Sequence, residues 1–153
     1  MKTVLQRVTS ANLKVDGKSV SETGRGLVVY LGVESGDEPA CGEYLAAKIA
    51  KMRIFEDENG KMNRSVVDEG GEILLVSQFT LLADCSHGNR PSFTAAESPD
   101  RANELYLAFR DMLIANGVKS IKLGVFGADM KVRLLNDGPI TILLDSDEMQ
   151  RKA

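Results

Sequence analysis

Two short apolar runs do most to limit what this chain can fold into. Gly26, Leu27, Val28, Val29, Tyr30, Leu31, Gly32 and Val33 follow one another without a charge. The run is too apolar to keep one face in water and too short for an ordinary helix, so it reads as a strand buried on both faces. Residues 72–78 form a second such strand after the turn signal Gly70-Gly71. Between the two lies a helical pattern. Asp37 reads as its N-cap, Pro39 falls in its first turn, and Leu45, Ile49 and Met52 recur at helical spacing, which predicts an amphipathic helix over 38–52.

The rest of the chain extends this plan. Residues 2–15 alternate as a strand, Asp16-Gly17 signals a hairpin, and the segment around Val20 returns as its partner. Another strand is expected over Lys61–Val67, and residues 84–97 read as a loop. Ser98 and Pro99 open a second helix as N-cap and N1. Ala102, Leu105, Tyr106, Phe109 and Leu113 form its apolar face, and Gly117 closes it. Strands are expected over 119–126, 130–136 and 140–145, and Met149–Ala153 as a frayed end. About eight strands and two helices in one domain, residues 1–153, imply an α/β fold of mixed sheets with helices on one side.

Composition excludes several function classes. No apolar run approaches the roughly 20 residues that span a bilayer, and the N-terminal segment lacks the apolar core of a signal peptide. Two cysteines, Cys41 and Cys85, and the single histidine, His87, make a zinc site a poor reading; two reduced thiols in a cytoplasmic protein fit better. No Walker loop or dinucleotide fingerprint is present, and Gly124 and Gly127 are too sparse for a phosphate loop. No metal and no cofactor are therefore expected. A net charge of −3 argues against a general nucleic-acid binder but leaves room for an enzyme that holds only the end of an RNA. Lys48, Lys51, Arg53, Lys61 and Arg64 form a local basic stretch, which reads as a solvated face or as a patch for RNA phosphates.

Three places carry chemistry. Ser77, Gln78, Phe79, Thr80 and Leu81 put polar groups at the end of an apolar strand. These either satisfy backbone groups there or mark a site whose exposed N–H groups bind an oxyanion, with Thr80 or Ser77 as an optional nucleophile. His87 is the only histidine that could serve as base, with Asp84 or Asp129 as a third member, and nothing in the spacing supports that triad. Asn136, Asp137, Gly138 and Pro139 read as a hairpin turn between two strands. Arg90, Pro91, Ser92 and Phe93, with Phe126 through Met130, supply aromatics and a methionine that either pack a loop or line an adenine pocket.

Taken together, Ser77-Gln78-Phe79-Thr80-Leu81 and Asn136-Asp137-Gly138-Pro139 match the two signatures of the D-aminoacyl-tRNA deacylase family. Gln6-Arg7-Val8, Val15-Asp16-Gly17 and Arg90-Pro91-Ser92-Phe93 also resemble it, in order and over nearly the whole chain. Ser77 and Phe79 resemble the chirality-based branch rather than the related achiral-substrate deacylases. The resemblance implies a homodimer with a three-layer β/β/α fold that hydrolyses the ester of D-aminoacyl- or mischarged glycyl-tRNA in chiral proofreading. It implies a cis peptide at Gly138–Pro139 and a selectivity motif donated across the subunit interface, where backbone carbonyls exclude an L side chain. Backbone N–H groups near Phe79 and Thr80, with Ser77 and Gln78, would hold the ester carbonyl. Arg7 and Asn136 would support the Gly-Pro turn, and Met130 and Phe126 would line an adenosine pocket. The RNA's 2′-OH is implied to assist attack, with Thr80 as the alternative nucleophile. The competing functions are a small-ester Ser/Thr hydrolase using Thr80 with His87, and a non-catalytic module binding RNA ends.

Overall fold

In the computed structural model, which describes residues 1–151, strand β1 (Lys2–Val15) organises the rest. One of its edges carries two antiparallel partners in succession. β3 (Gly26–Gly32) pairs with residues 2–8, and β2 (Lys18–Thr23) with residues 11–15. Asp16 and Gly17 both take positive φ, 51° and 75°, as a two-residue hairpin with the strands' own twist requires. The other edge of β1 pairs throughout with β8 (Met130–Asp145).

From β3 the chain crosses through α1 (Pro39–Lys51) and a small hairpin, β4 (Phe55–Glu56) and β5 (Met62–Arg64), to β6 (Glu72–Ser77), parallel to β3. A second crossover through α2 (Pro99–Ala115) places β7 (Ser120–Leu123) parallel to β6. The two apolar runs are thus adjacent central strands, and their alternate residues feed two cores. Leu27, Val29, Leu31, Ile73 and Leu75 meet Leu45 and Ile49 of α1 and Leu105, Phe109 and Leu113 of α2. Val28, Leu74 and Val76 point the other way and are covered by Val8, Ala11 and Leu13, with Val132 and Leu134 of β8 packed against them.

That second core exists because the β2–β1–β8 half of the sheet curls over the central strands. Ser21 Oγ donates to the Leu123 carbonyl at 2.6 Å, and the Gly24 N–H to Glu72 Oε1 at 3.0 Å. Gly26 lies so close to β6 that a Cβ there would sit 1.8 Å from the Glu72 carbonyl oxygen. The result is a mixed, nearly closed sheet with α1 and α2 on one side, as expected from the sequence.

Several local expectations need correction. Asp37 does not cap α1; Glu38 holds that position without a side-chain bond. The buried Asp37 carboxylate instead takes the Met1 ammonium at 2.7 Å and the Glu34 N–H at 2.7 Å. The strand expected over Lys61–Val67 shrinks to Met62–Arg64, because Ser65 and Asp68 bond reciprocally and turn the chain. The strand expected over 119–126 ends at Leu123. Segments 130–136 and 140–145 are one strand rather than a hairpin, since both pair with β1 in the same direction. Met149 to Arg151 belong to a short helix, α3 (Ser146–Arg151), instead of fraying; Lys152 and Ala153 lie outside the described residues.

Candidate active site

β6 delivers Ser77 to the rim of the sheet, opposite Leu31, and the Gln78 N–H makes the last ladder-like bond, to the Leu31 carbonyl at 2.8 Å. The chain then tightens into a 3-10 turn, Phe79–Leu82. The first N–H groups of such a turn have no partner within it. Those of Phe79 and Thr80 find no acceptor among the described residues. Phe79 is 56% exposed and meets the Phe93 ring edge-on, 5.1 Å between centroids. The Asp84–Ser92 bridge, with bonds of 2.7 and 2.9 Å, closes the intervening loop and brings Phe93 there.

Beside this turn opens a cavity of about 470 Å³, a size that takes a small organic ligand. Ser77, Gln78 and Phe79 form one wall, Ala96, Glu97, Pro99 and Ala102 a second, and Phe126 to Met130 with Val132 a third; Val33 and Val76 also line it. Five of the sequence-predicted residues therefore meet here, Ser77, Gln78, Phe79, Phe126 and Met130, with Thr80 adjoining. Glu97, Pro99, Ala102 and Val132 were not expected from the sequence to be site residues. Three of them look like ordinary helix or core residues, and a lone glutamate in a loop gives no signal. The Ser98 N–H bonds Glu97 at 2.7 Å and holds its carboxyl below the usual 4.5, so the cavity wall carries an anion at neutral pH.

The Thr80 hydroxyl accepts a bond from Gln78 Nε2 at 2.6 Å. No imidazole or carboxylate bonds it among the described residues, and His87 lies exposed in the 84–92 loop without a hydrogen-bond partner. The Thr80–His87 arrangement of a Ser/Thr hydrolase is not formed. No group of three or more His, Cys, Asp or Glu that could hold a metal exists among the described residues. Cys41 and Cys85 are unpaired.

The second constellation gathers elsewhere. Between the pairs Gln6↔Thr141 and Val8↔Asn136, β1 contributes one residue, Arg7, where β8 contributes Asp137 to Ile140, so β8 bulges outward as a tip. Asn136 Nδ2 clamps its base by donating to the carbonyls of Arg7 and Ile140, 2.9 Å each. Gln6 Nε2 reaches Thr141 Oγ1 at 3.1 Å, and that hydroxyl reaches Asn136 Oδ1 at 3.4 Å. Arg7 is buried beneath the tip. Its Nε donates to the Asp137 carbonyl at 3.2 Å and lies 3.4 Å from Asp137 Oδ2, its Nη1 donates to the Ile54 carbonyl at 2.8 Å, and its guanidinium sits 6.0 Å from the Phe55 ring centre. At the apex, Gly138 and Pro139 are exposed and joined by a cis peptide. Gly138 has φ 131°, and a Cβ there would meet Ile140 at 2.8 Å. None of Asn136, Asp137, Gly138 or Pro139 lines the cavity of its own chain.

A family model described as D-Tyr-tRNA(Tyr) deacylase matches residues 4–145. The chain belongs to this deacylase family. A relative from Deinococcus deserti named D-aminoacyl-tRNA deacylase is 57% identical over 145 residues, covering 95% of this chain and 99% of the relative. Another of that name, from Syntrophus aciditrophicus, is 50% identical over 149 residues, 97% and 99% of the two chains. The solved structure of a c-Myc DNA Unwinding Element Binding Protein superposes with a TM-score of 0.89 at 44% identity, over 95% of this chain and 98% of that one. Deacylases of this family are hydrolases acting on ester bonds. No helix among the described residues is long and apolar enough to cross a membrane.

Proposed function

We propose that this deacylase hydrolyses the ester joining a D-amino acid, or glycine, to the 3′ end of tRNA in the cytoplasm, and that a second copy of the chain supplies its chiral filter. The observation that carries this reading is the separation of the two constellations. The turn at the cavity's edge carries free N–H groups suited to an ester oxyanion, at Phe79, which lines the cavity, and Thr80, which adjoins it, while the braced Gly138–Pro139 tip is exposed. Val132 lines the cavity, and the tip begins at Asn136 on the same strand, roughly 13 Å further along at about 3.3 Å per residue. A tip so placed reaches a partner's cavity more readily than its own.

A twofold partner also suits an uncovered sheet face. Leu143 is 74% exposed; its cross-strand neighbour Val4 is half-buried, as is Tyr30 on the far side of Val4. A symmetric dimer buries such a face against itself.

In this mechanism the N–H groups of Phe79 and Thr80 receive the developing oxyanion, and Phe126 and Met130 hold the terminal adenosine. The partner's tip presents backbone carbonyls beside the α-carbon. An L side chain strikes them and a D side chain points away. Attack is assisted by the RNA's 2′-OH, in keeping with a Thr80 hydroxyl that has no base. Glycine has no side chain to exclude, so the filter lets it pass. The experiment compares glycyl-, D-alanyl- and L-alanyl-tRNA on one tRNA body, at concentrations where sedimentation reports the assembly. Cleavage of the first two by a dimer, with the third spared, is the expected result. Sparing of glycyl-tRNA, or full activity from a monomer, refutes the cross-subunit filter. Binding of all three without turnover would favour the non-catalytic module.

A further inference from the structure

Lys14 and Lys131 stand directly opposite each other in the β1–β8 ladder. The next pair along the same face is Asn12 and Arg133. Directly opposed like charges destabilise a sheet, so this placement costs the free protein stability and suits an anionic partner. All three cations are exposed. Lys131 is relieved only by Asp129, at 3.0 Å, in a pair whose members are 80% and 83% exposed and easily exchanged. Lys14 and Arg133 have no carboxylate within ion-pair distance among the described residues. Glu22, opposite Asn12 on that face, already accepts from Asn12 Nδ2 at 3.2 Å.

The row's position matters as much as its charge. Met130 and Val132 line the cavity, and Lys131 lies between them with its side chain on the opposite face of the strand. Lys131 and Arg133 thus stand on the outer face of the strand that forms one wall of the cavity, where a polymer leaving over that edge would meet them. The basic stretch singled out from the sequence has no such relation. None of Lys48, Lys51, Arg53, Lys61 or Arg64 lines the cavity or neighbours a lining residue. Arg64 is committed to Glu69 at 2.7 Å and to the Asp68 carbonyl at 2.7 Å, and Arg53 to Asn63 at 3.3 Å.

We propose that Lys14, Lys131 and Arg133 form a rail for the phosphates of the nucleotides that precede the terminal adenosine of the RNA substrate. This rests on the reading above that the cavity takes the 3′ end of an aminoacylated RNA. Phosphate contacts of this kind are indifferent to sequence and weaken with salt.

The test uses the full chain and a Lys14→Gln/Arg133→Gln variant, checked for an unchanged melting temperature. Binding of an uncharged acceptor-stem hairpin with a single-stranded 3′ CCA end is followed by fluorescence anisotropy across a salt series. Turnover is followed on D-alanyl-tRNA and on D-alanyl-adenosine, which has no phosphates. The variant should bind the hairpin about tenfold more weakly at low salt, with a log–log salt slope shallower by about 1.4, or roughly 0.7 per single-strand phosphate lost. It should cleave D-alanyl-adenosine at the wild-type rate. An unchanged slope overturns the proposal, as does an equal loss on D-alanyl-adenosine, which would place the effect in the site itself. A slope changed by Lys48→Gln/Lys51→Gln instead moves the phosphate surface to α1 and also overturns it. If the wild type cleaves neither D-alanyl ester, the deacylase reading has failed, and the hairpin arm still decides the rail.

Discussion

Replacing Arg7 by methionine tests whether the Gly138–Pro139 tip is held from below. Methionine keeps an unbranched apolar stem but removes every donor, together with the guanidinium that sits 6.0 Å from the Phe55 ring centre. The side chain is 6% exposed, so the bonds it loses are protein bonds with little water nearby. Two of them run from the guanidinium to carbonyls, of Ile54 at 2.8 Å and Asp137 at 3.2 Å. Bonds with a charged donor contribute about 1.5–3 kcal/mol each. The ion pair with the Asp137 carboxylate adds less than about 1 kcal/mol, since that side chain is 38% exposed and water can replace the lost partner. Retained packing offsets part of the loss, leaving a destabilisation of about 3 kcal/mol. At about 2–4 °C per kcal/mol for a chain of this size, the melting temperature should fall by roughly 6–12 °C. Thermal unfolding at one fixed protein concentration measures this, because assembly would otherwise shift the midpoint. The same preparations give the ratio of kcat/KM on D-alanyl- and L-alanyl-tRNA, which should narrow as the tip loosens. Arg7→Lys should recover only part of either effect, because an ammonium cannot reach two diverging carbonyls as the planar fork does. A variant that melts within about 2 °C of wild type refutes the energetic argument. A variant that melts low but discriminates as before refutes the link from Arg7 to the proposed filter.

Two further outcomes are expected. Thr80→Ala should keep most of its turnover on D-aminoacyl-tRNA, while a substrate ending in 2′-deoxyadenosine should react far more slowly; the opposite pattern would make Thr80 the nucleophile. Glu72 accepts the Gly24 N–H and the Ser120 hydroxyl, and these bonds, Gly24 first, hold its carboxyl below the usual 4.5. A depressed carboxyl contributes stability in full above its unfolded value and loses it as pH falls through the folded one. Glu72→Gln should therefore flatten the loss of stability below about pH 4.5, as read by urea unfolding across pH; an unchanged acid limb would show that Glu72 carries none of it.

The parts of the fold that were legible in sequence are those where local pattern and burial agree. Gly26–Gly32 and Glu72–Ser77 could only be interior strands, and Asp16-Gly17 could hardly be other than a tight turn. Expectations failed where a distant partner decided the outcome. Asp37 has the side chain of an N-cap, but the Met1 ammonium competes for it across the fold and wins with an ion pair at 2.7 Å. The four residues from Asn136 to Pro139 have every mark of a reversal, and the chain does leave its line there. It does not reverse, because Val8 and Gln6 capture the two flanks in one continuous ladder. Alternating apolar residues on both sides of a turn look the same whether they pair with each other or with a third strand.

The same geometry explains why side-chain chemistry alone pointed so weakly at function. The polar side chains around the tip are engaged within the fold, Asp137 with Arg7 among them. Asn136 holds two carbonyls, Thr141 is held by Gln6, and Arg7 is buried under the bulge. At the exposed apex stand a glycine without a side chain and a proline without an N–H, so what the apex offers is main chain. The turn beside the cavity repeats the arrangement with the opposite polarity, for the N–H groups of Phe79 and Thr80 find no acceptor among the described residues. On the proposed reading, a site built from main-chain donors in one place and main-chain acceptors in another leaves no cluster of histidines, carboxylates or thiols to be found by composition. Its signature is the set of residues that make backbone available: a strand end tightened into a 3-10 turn, and a bulge braced by an arginine and an asparagine. A filter of the proposed kind can only be as sharp as its bracing is stiff. The residues that set its selectivity are therefore expected beneath the tip, at Arg7 and Asn136, as much as at the apex itself.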